Sequence, residues 1–161
     1  MKNLTLNILL IFWAAVSTAG VPTTQLTETD AIRWDSSLTL PQIDGKPNIG
    51  IAGVFSGRID GKLLIAGGAN FPDRTPAANG EKKYHRDLYI YDTSQGWQII
   101  PDALPAPRAY GVSVTLPEGV LCIGGCNAEE CTNQVLLLTL DGNQPRLTPW
   151  PPLPRPLANA A

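Results

Sequence analysis

Two stretches of this sequence follow one pattern, KLLIAGG at residues 62–68 and GVLCIGG at residues 119–125. Each is a short apolar run of the kind that forms a β-strand, and each ends in paired glycines, which are typical of tight turns. A pattern that returns at a period of roughly 50 residues indicates a repeat protein.

The residues that follow each copy repeat as well. A polar loop comes first, then a second apolar strand, a tryptophan, and a Leu-Pro segment that carries an arginine. In the two copies these are 87–92 and 133–138, Trp97 and Trp150, and Arg108 and Arg155. Four strands in a unit of roughly 50 residues are typical of a kelch-type β-propeller blade. The sequence therefore predicts an all-β, kelch-type β-propeller.

The composition agrees with this architecture. The 161 residues include 15 glycines and 15 prolines but only 16% charged residues, which favours short strands joined by tight turns. A formal net charge of −2 gives no basic surface for nucleic acid. Nothing in the sequence calls for a cofactor.

Four parts of a propeller can be assigned along the chain. We predict one strand of a split blade at 31–41, full blades at 49–100 and 109–150, and the start of a next blade at 155–161. In the first full blade, the glycine-containing stretch 49–54 is predicted to be the first strand, of the type that lines a crowded propeller axis.

These parts predict an incomplete propeller, because a closed ring needs about four to eight blades. We expect either a truncated piece of a longer protein, which is the simpler reading, or an assembly of several copies. The unpaired edges of a partial ring predict that this chain alone does not fold cooperatively and is inactive.

The first residues have the features of an export signal. Lys2 precedes an apolar run at 8–16, and small residues follow it. We predict a signal peptide at 1–19 and a flexible lead-in at 20–30. A membrane anchor is the alternative, but a spanning helix needs about 20 apolar residues. We therefore expect a periplasmic or secreted protein with no membrane contact after cleavage.

The three cysteines have different predicted environments. Strand alternation points Cys122 inward, where cysteine behaves as a small apolar residue. Cys126 and Cys131 flank a short loop, and oxidising surroundings would permit a disulfide between them. A metal site is the less favoured reading, because His85 is the single histidine.

Strand direction places several polar side chains at one mouth of the propeller. Propellers use such loops on a rigid scaffold to bind small ligands. The wider set at this mouth is Asn70, Arg74, Glu81, His85, Arg86, Arg108, Tyr110, Glu129, Glu130, Arg155 and Asn159. From it we predict Asn70, Arg108, Tyr110 and Arg155 as substrate-binding residues.

Structural alternatives exist for most of this set. Arg108 and Arg155 can instead brace neighbouring blades through backbone carbonyls, and Tyr110 can be a core residue. Glu81 and Glu130 are favoured as solvated loop charges. His85 could be a proton shuttle or plain polar surface.

The loop string GGANFP at 67–72, followed by NGEKK at 79–83, is not explained by the generic repeat, and PRAYGVS at 107–113 and LCIGG at 121–125 accompany it. With them, residues 31–141 resemble the sialic acid mutarotases, or N-acetylneuraminate epimerases, in a circularly permuted arrangement. The resemblance implies an exported isomerase that interconverts the anomers of free sialic acid by acid–base ring opening. It also implies an arginine paired with the sugar carboxylate.

The catalytic residues stay unassigned, because the family's Gly-Glu and Leu-Arg-Thr-Asp segment has no counterpart here. The alternative function is a non-catalytic kelch module that binds carbohydrate or protein. A copper oxidase on the same fold is disfavoured, since it would need more histidine than His85 supplies.

Overall fold

The structure, a computed structural model, describes residues 38–42, 45 and 47–160. The predicted signal peptide, the lead-in and residues 31–37 of the predicted split-blade strand lie outside these ranges. The rest of that strand, residues 38–41, is described and has no strand structure. In the described ranges no helix is both long and apolar enough to cross a membrane.

Antiparallel β-strands form the described part of the chain. In order they are β1 (Phe55–Ile59), β2 (Lys62–Ala66), β3 (Ala69–Asn70), β4 (Lys83–Tyr84), β5 (Leu88–Asp92), β6 (Gly96–Ile100), β7 (Val112–Leu116), β8 (Gly119–Ile123), β9 (Val135–Asp141) and β10 (Gln144–Trp150). One turn of 3-10 helix spans Pro76–Ala78. Since residues 47–160 contain no α-helix, the all-β prediction is confirmed.

The strands form two four-stranded sheets and one small sheet. Blade 1 has the order β1-β2-β5-β6, and blade 2 has the order β7-β8-β9-β10. The small sheet pairs β3 with β4 and lies in the loop between β2 and β5. Consecutive strands that pair in chain order are the arrangement predicted for a propeller blade. Within residues 47–160 the two blades do not close a ring.

The hydrophobic core lies between the two blades. Phe55 and Leu64 of blade 1 are each 1% exposed, and Val120 and Leu138 of blade 2 are 1% and 2% exposed in the same cluster. Alternate residues of a strand point to one face, which is why one face of each blade can be apolar. Burying each such side chain contributes about 1.5–3 kcal/mol, so the blades stabilise each other.

The first strand of blade 1 begins at Phe55 and not at Ile49 as predicted. Gly50 has φ 91° and Gly53 has φ 64°, and neither value fits an extended strand. The carbonyl of Gly53 instead accepts a hydrogen bond from the N–H of Tyr110 at 2.7 Å. Gly53 therefore links this segment to the next repeat, which an apolar pattern alone does not reveal.

The paired glycines of blade 1 pack against the segment that leads to blade 2. Gly67 has φ 65°, and its N–H donates to the carbonyl of Asp87 at 2.9 Å. The N–H of Gly68 donates to the carbonyl of Arg108 at 2.7 Å. A Cβ on Gly67 would meet that carbonyl oxygen at 2.3 Å, so a side chain does not fit there.

Blade 2 repeats this arrangement. Gly124 has φ 62°, its N–H donates to the carbonyl of Gln134 at 2.9 Å, and the N–H of Gly125 donates to the carbonyl of Leu157 at 2.7 Å. A Cβ on Gly124 would lie 2.4 Å from the Leu157 carbonyl oxygen. Leu157 therefore occupies the position in the second repeat that Arg108 occupies in the first.

The repeated tryptophans are not at equivalent positions. Trp97 lies next to the β5–β6 turn and packs on Tyr91, with ring centroids 5.0 Å apart. Trp150 is the last residue of β10, pairs with Val135 and is 42% exposed. The predicted alignment of the two residues was wrong, because β9 and β10 each have 7 residues where β5 and β6 have 5.

Candidate functional site

Tyr110 belongs to a set of equivalent backbone positions that link successive repeats. Gly53, Tyr110 and Asn159 all have positive φ, of 64°, 62° and 54°. The N–H of Tyr110 donates to the carbonyl of Gly53, and the N–H of Asn159 donates to the carbonyl of Tyr110, both at 2.7 Å. Tyr110 is thus held at the start of the inner strand of blade 2, where the predicted mouth lies.

The backbone of Tyr110 is strained. A left-handed conformation at a residue other than glycine costs about 1–3 kcal/mol and is often found at functional sites. The two backbone hydrogen bonds with Gly53 and Asn159 hold this conformation in place. The strain motivates a search for a function in the Tyr110 side chain.

Tyr110 lies in a cluster of three aromatic rings and one ammonium group, Phe71, Lys82, Tyr84 and Tyr110, which we call the Tyr110 cluster. The Lys82 Nζ lies 5.5 Å from the Phe71 ring centroid, 5.9 Å from that of Tyr84 and 5.1 Å from that of Tyr110. It also donates to Tyr110 Oη at 3.3 Å. The rings of Tyr84 and Tyr110 meet edge to face at 6.3 Å.

Lys82 keeps its positive charge in this setting. The hydrogen bond to Tyr110 is the main cause that raises the pKa of Lys82 above its usual range. An ammonium group has three donors, and Tyr110 uses one of them. Among the described residues the Tyr110 cluster therefore presents an exposed cation, with two further donors, beside three aromatic rings.

Two open cavities adjoin the Tyr110 cluster. One has a volume of about 470 Å³ and is lined by apolar residues such as Ile49 and Ile51, with Phe71 and Tyr110 on the cluster side. The other, of about 420 Å³, has Lys82 and Tyr84 on one wall and the loop residues Asn127 and Glu129 on the other. Both are within the size range of small-molecule sites.

Asn70 has structural partners on both ends of its amide. Its Nδ2 donates to the carbonyl of Gly50 at 3.0 Å, and its Oδ1 accepts from Nε2 of His85 at 2.9 Å. Burial lowers the pKa of His85, so the imidazole is neutral at pH 7. Asn70 lines the cavity of about 470 Å³, and its predicted contact with substrate stays a prediction.

The Arg108 side chain lies in the interior and bonds to blade 2. It is 5% exposed, and Nη2 donates to Oε1 of Gln134 at 2.5 Å. Its stem fills the space that a side chain on Gly125 would need. Within the described residues Nη1 is buried and has no hydrogen-bond partner. The hydrogen bond goes to a side chain of blade 2 and not to the backbone carbonyls expected of a brace, so the bracing alternative and the predicted carboxylate contact both stay predictions.

Arg108→Lys is expected to lower the free energy of unfolding of the full-length protein by about 1.5–3 kcal/mol, the range for a hydrogen bond to a charged group. A lysine cannot reproduce the planar fork that reaches Gln134. Urea unfolding measures the loss, and calorimetric titration with N-acetylneuraminate provides the comparison. Unchanged stability with weakened sugar binding would make Arg108 a ligand contact and not a brace.

Arg155 is not the counterpart of Arg108. The N–H of Leu104 donates to the carbonyl of Arg86 and that of Leu153 donates to the carbonyl of Asn133, both at 2.8 Å. These bonds fix the register, and they place Leu157 opposite Arg108. The Arg155 side chain is exposed, and its predicted substrate contact stays a prediction.

Of the remaining polar residues of the predicted mouth, Glu129 lines the cavity of about 420 Å³ beside the Tyr110 cluster. Arg86 pairs with Asp102 at 2.5 Å. Glu81 and Glu130 are exposed, as expected for solvated loop charges. Among the described residues, no group of three or more His, Cys, Asp or Glu side chains could hold a metal ion.

Sequence reasoning did not assign Lys82, Phe71 and Tyr84 to the site, although Phe71 and Lys82 lie in the motifs at 67–72 and 79–83. Lys82 directly precedes β4, and only the pairing of β3 with β4 brings it back toward Tyr110. A pair of lysines before a short strand gives no such signal in a sequence.

The fold and the site together define an incomplete kelch-type β-propeller of two blades, with a cluster of aromatic rings and one cation in its loops. A family model described as N-acetylneuraminate epimerase matches residues 13–147. The chain belongs to the N-acetylneuraminate epimerase family, which confirms the resemblance seen in the sequence.

Individual relatives agree with this assignment. An N-acetylneuraminate epimerase of Vibrio cholerae is 38% identical over 120 residues, which cover 68% of this chain and 31% of that protein. One of Brucella melitensis is 32% identical over 123 residues, covering 70% of this chain and 31% of that protein. The chain thus spans about 31% of the length of these curated relatives.

A solved structure also matches. The structure of YjhT is similar with a TM-score of 0.55 and 28% sequence identity, over 68% of this chain and 33% of that one.

Proposed function

We propose that the full-length protein interconverts the anomers of free N-acetylneuraminate, a sialic acid. Membership of the family supports the reaction type. The observation that carries the proposal for the described residues is the Lys82 ammonium beside the rings of Phe71, Tyr84 and Tyr110. This arrangement suits an anionic sugar, because the cation pairs with a carboxylate and ring faces pack on the apolar face of the sugar.

Anomer exchange in such a sugar proceeds by ring opening and reclosure. One group must take the proton from the anomeric hydroxyl, and another must protonate the ring oxygen. The Tyr110 cluster is proposed to bind and orient the sugar for these steps. The strained backbone of Tyr110 holds its ring and hydroxyl in position for that task.

The proposed reaction can be followed by proton NMR. A sialidase releases the α-anomer from a sialoside, and the α and β resonances are recorded as the anomers equilibrate. We expect the full-length protein to shorten the approach to equilibrium at protein concentrations far below that of the sugar. An equilibration time equal to the spontaneous one would overturn the proposed function.

Lys82→Gln is expected to weaken N-acetylneuraminate binding about tenfold, which corresponds to roughly 1.4 kcal/mol. The substitution keeps a polar side chain of similar length but removes the charge that would pair with the carboxylate. Calorimetric titration of the full-length variant measures the change. The matched control is Lys62→Gln, which removes the same charge from a lysine of β2 that lines neither cavity. Equal affinity losses in both variants would exclude a specific role for Lys82.

We propose in addition that the protein is exported. Lys2, the apolar run at 8–16 and the small residues that follow it support a cleaved signal peptide at 1–19. Cell fractionation followed by N-terminal sequencing tests this, with the mature chain expected to begin at Gly20. A cytoplasmic protein that retains residues 1–19 would contradict export.

A further inference from the structure

Cys126 and Cys131 lie opposite each other across an antiparallel bridge in the loop between β8 and β9. On one side of the pair, the N–H of Asn127 donates to the carbonyl of Glu130 at 2.9 Å. The Asn127 side chain also accepts hydrogen bonds from the backbone N–H groups of Glu129 and Glu130, at 2.8 and 2.9 Å. The loop that joins the two cysteines is therefore ordered by its own hydrogen bonds.

On the other side of the pair, the N–H of Thr132 donates to the carbonyl of Gly125 at 2.9 Å. Hydrogen bonds on both sides make Cys126 and Cys131 a non-hydrogen-bonded pair. In such a pair the Cα atoms are about 4.5 Å apart and the side chains lie close together on one face. A disulfide requires Cα atoms about 4.4–6.8 Å apart.

From this backbone geometry we propose that Cys126 and Cys131 form an intramolecular disulfide in oxidising surroundings. In the structure both are free thiols. Bond formation then needs no change of strand pairing, only rotation of the two side chains.

The repeat does not account for two cysteines at these positions. The equivalent pair in blade 1 is Ala69 and Tyr84, which face each other across β3 and β4. Blade 1 also has the counterpart of the hydrogen bond from Thr132 to Gly125: the N–H of His85 donates to the carbonyl of Gly68 at 2.8 Å. The fold therefore tolerates quite different residues at this pair, and the cysteines of blade 2 are not a requirement of the blade.

The reaction requires an oxidant, which is a small-molecule disulfide such as oxidised glutathione. The exposed Cys131 loses its proton and attacks one sulfur of that disulfide, which releases one small thiol and leaves a mixed disulfide. Cys126 then loses its proton and attacks the sulfur of Cys131, which releases the second thiol. Two protein thiols are oxidised and one small-molecule disulfide is reduced.

The surroundings of the three cysteines favour this pairing. Cys131 is exposed and Cys126 is only partly buried, so a small-molecule oxidant can reach the pair. Burial raises the pKa of Cys122 to about 12, and Cys122 is 0% exposed in the core. A buried thiol of this kind is unreactive, so Cys122 does not compete for either partner.

The disulfide would close the loop that forms one wall of the cavity of about 420 Å³. Asn127 and Glu129 of this loop face Lys82 across that cavity. Cys126 also pairs through its backbone with Ala109, which precedes Tyr110. The bond would thus fix a wall of the candidate site without touching its cation.

The loop sequence allows a direct test in the full-length protein. The protein is incubated with oxidised glutathione, its remaining thiols are alkylated, and it is digested with a protease that cleaves after glutamate. Cleavage after Glu129 and Glu130 separates Cys126 from Cys131 unless a disulfide joins them. We expect one linked peptide pair that reduction separates, and alkylation at Cys122 alone once the protein has been denatured.

Two variants identify the partners. Cys131→Ser should abolish the linked pair, whereas Cys122→Ser should leave it intact. Alkylation of both Cys126 and Cys131 after oxidation would overturn the proposal. Accumulation of a glutathione mixed disulfide on Cys131 would overturn it as well, because Cys126 would then be out of reach.

Discussion

Gly67→Ala is expected to lower the free energy of unfolding of the full-length protein by about 2–5 kcal/mol. Part of this loss, about 1–2 kcal/mol, comes from placing a side chain on a left-handed residue with φ 65°. The rest, about 1–3 kcal/mol, comes from overpacking, since the new Cβ would lie 2.3 Å from the carbonyl oxygen of Arg108. That oxygen belongs to the backbone and accepts the Gly68 hydrogen bond, so it cannot move freely.

Gly142→Ala is the matched control for this experiment. Gly142 has φ 63°, almost the value of Gly67, but a Cβ there would meet no atom within 4 Å. Gly142→Ala should lower the free energy of unfolding only by the cost of a left-handed backbone, about 1–2 kcal/mol. Urea unfolding of both variants separates the two causes. Equal losses would show that the close contact between Gly67 and Arg108 does not hold the repeats together.

Phe55→Ala is expected to lower the free energy of unfolding of the full-length protein by about 3–5 kcal/mol, the range for removal of a buried aromatic side chain. Phe55 is 1% exposed in the core between the blades, and its ring fills the space beside Gly111 of blade 2. Without the ring, each blade faces a cavity at the point where the inner strands meet. The measurement is the free energy of unfolding from urea titration.

Ile99→Ala serves as the control for Phe55, because Ile99 is a large apolar residue of the same blade that is 37% exposed. Ile99→Ala should lower the free energy of unfolding clearly less than Phe55→Ala does. If the two substitutions cost the same, the interface between the blades would not be the main source of stability in this part of the protein.

Much of the blade architecture could be predicted from the sequence, because it depends on local signals. The apolar runs that end in Gly67 and Gly124 predicted β2 and β8 and their repetition. The first strand was placed too early, since Gly50 and Gly53 have positive φ values that no apolar pattern reports.

The register of the repeat was less predictable. Trp150 and Arg155 matched Trp97 and Arg108 by their order in the repeat and by residue type. The longer β9–β10 hairpin displaces them, and only hydrogen bonds such as that from Gly125 to Leu157 identify the true counterparts.

The candidate site was predicted only in part. Tyr110 was identified from its motif, but its strained backbone and its contact with Lys82 depend on long-range hydrogen bonds. Arg108 was identified as well, and its burial against Gln134 is set by how blade 2 packs. Side chains that converge from different loops leave no pattern in a linear sequence.

The central claim, that the full-length protein is a sialic acid mutarotase, is tested most directly by proton exchange spectroscopy at anomeric equilibrium. N-acetylneuraminate is present in large excess, and the mixing time is set shorter than spontaneous anomer exchange. We predict exchange cross peaks between the α and β resonances that appear only with the protein and grow with its concentration. Binding of the sugar without such cross peaks would contradict the claim and make the protein a carbohydrate-binding propeller.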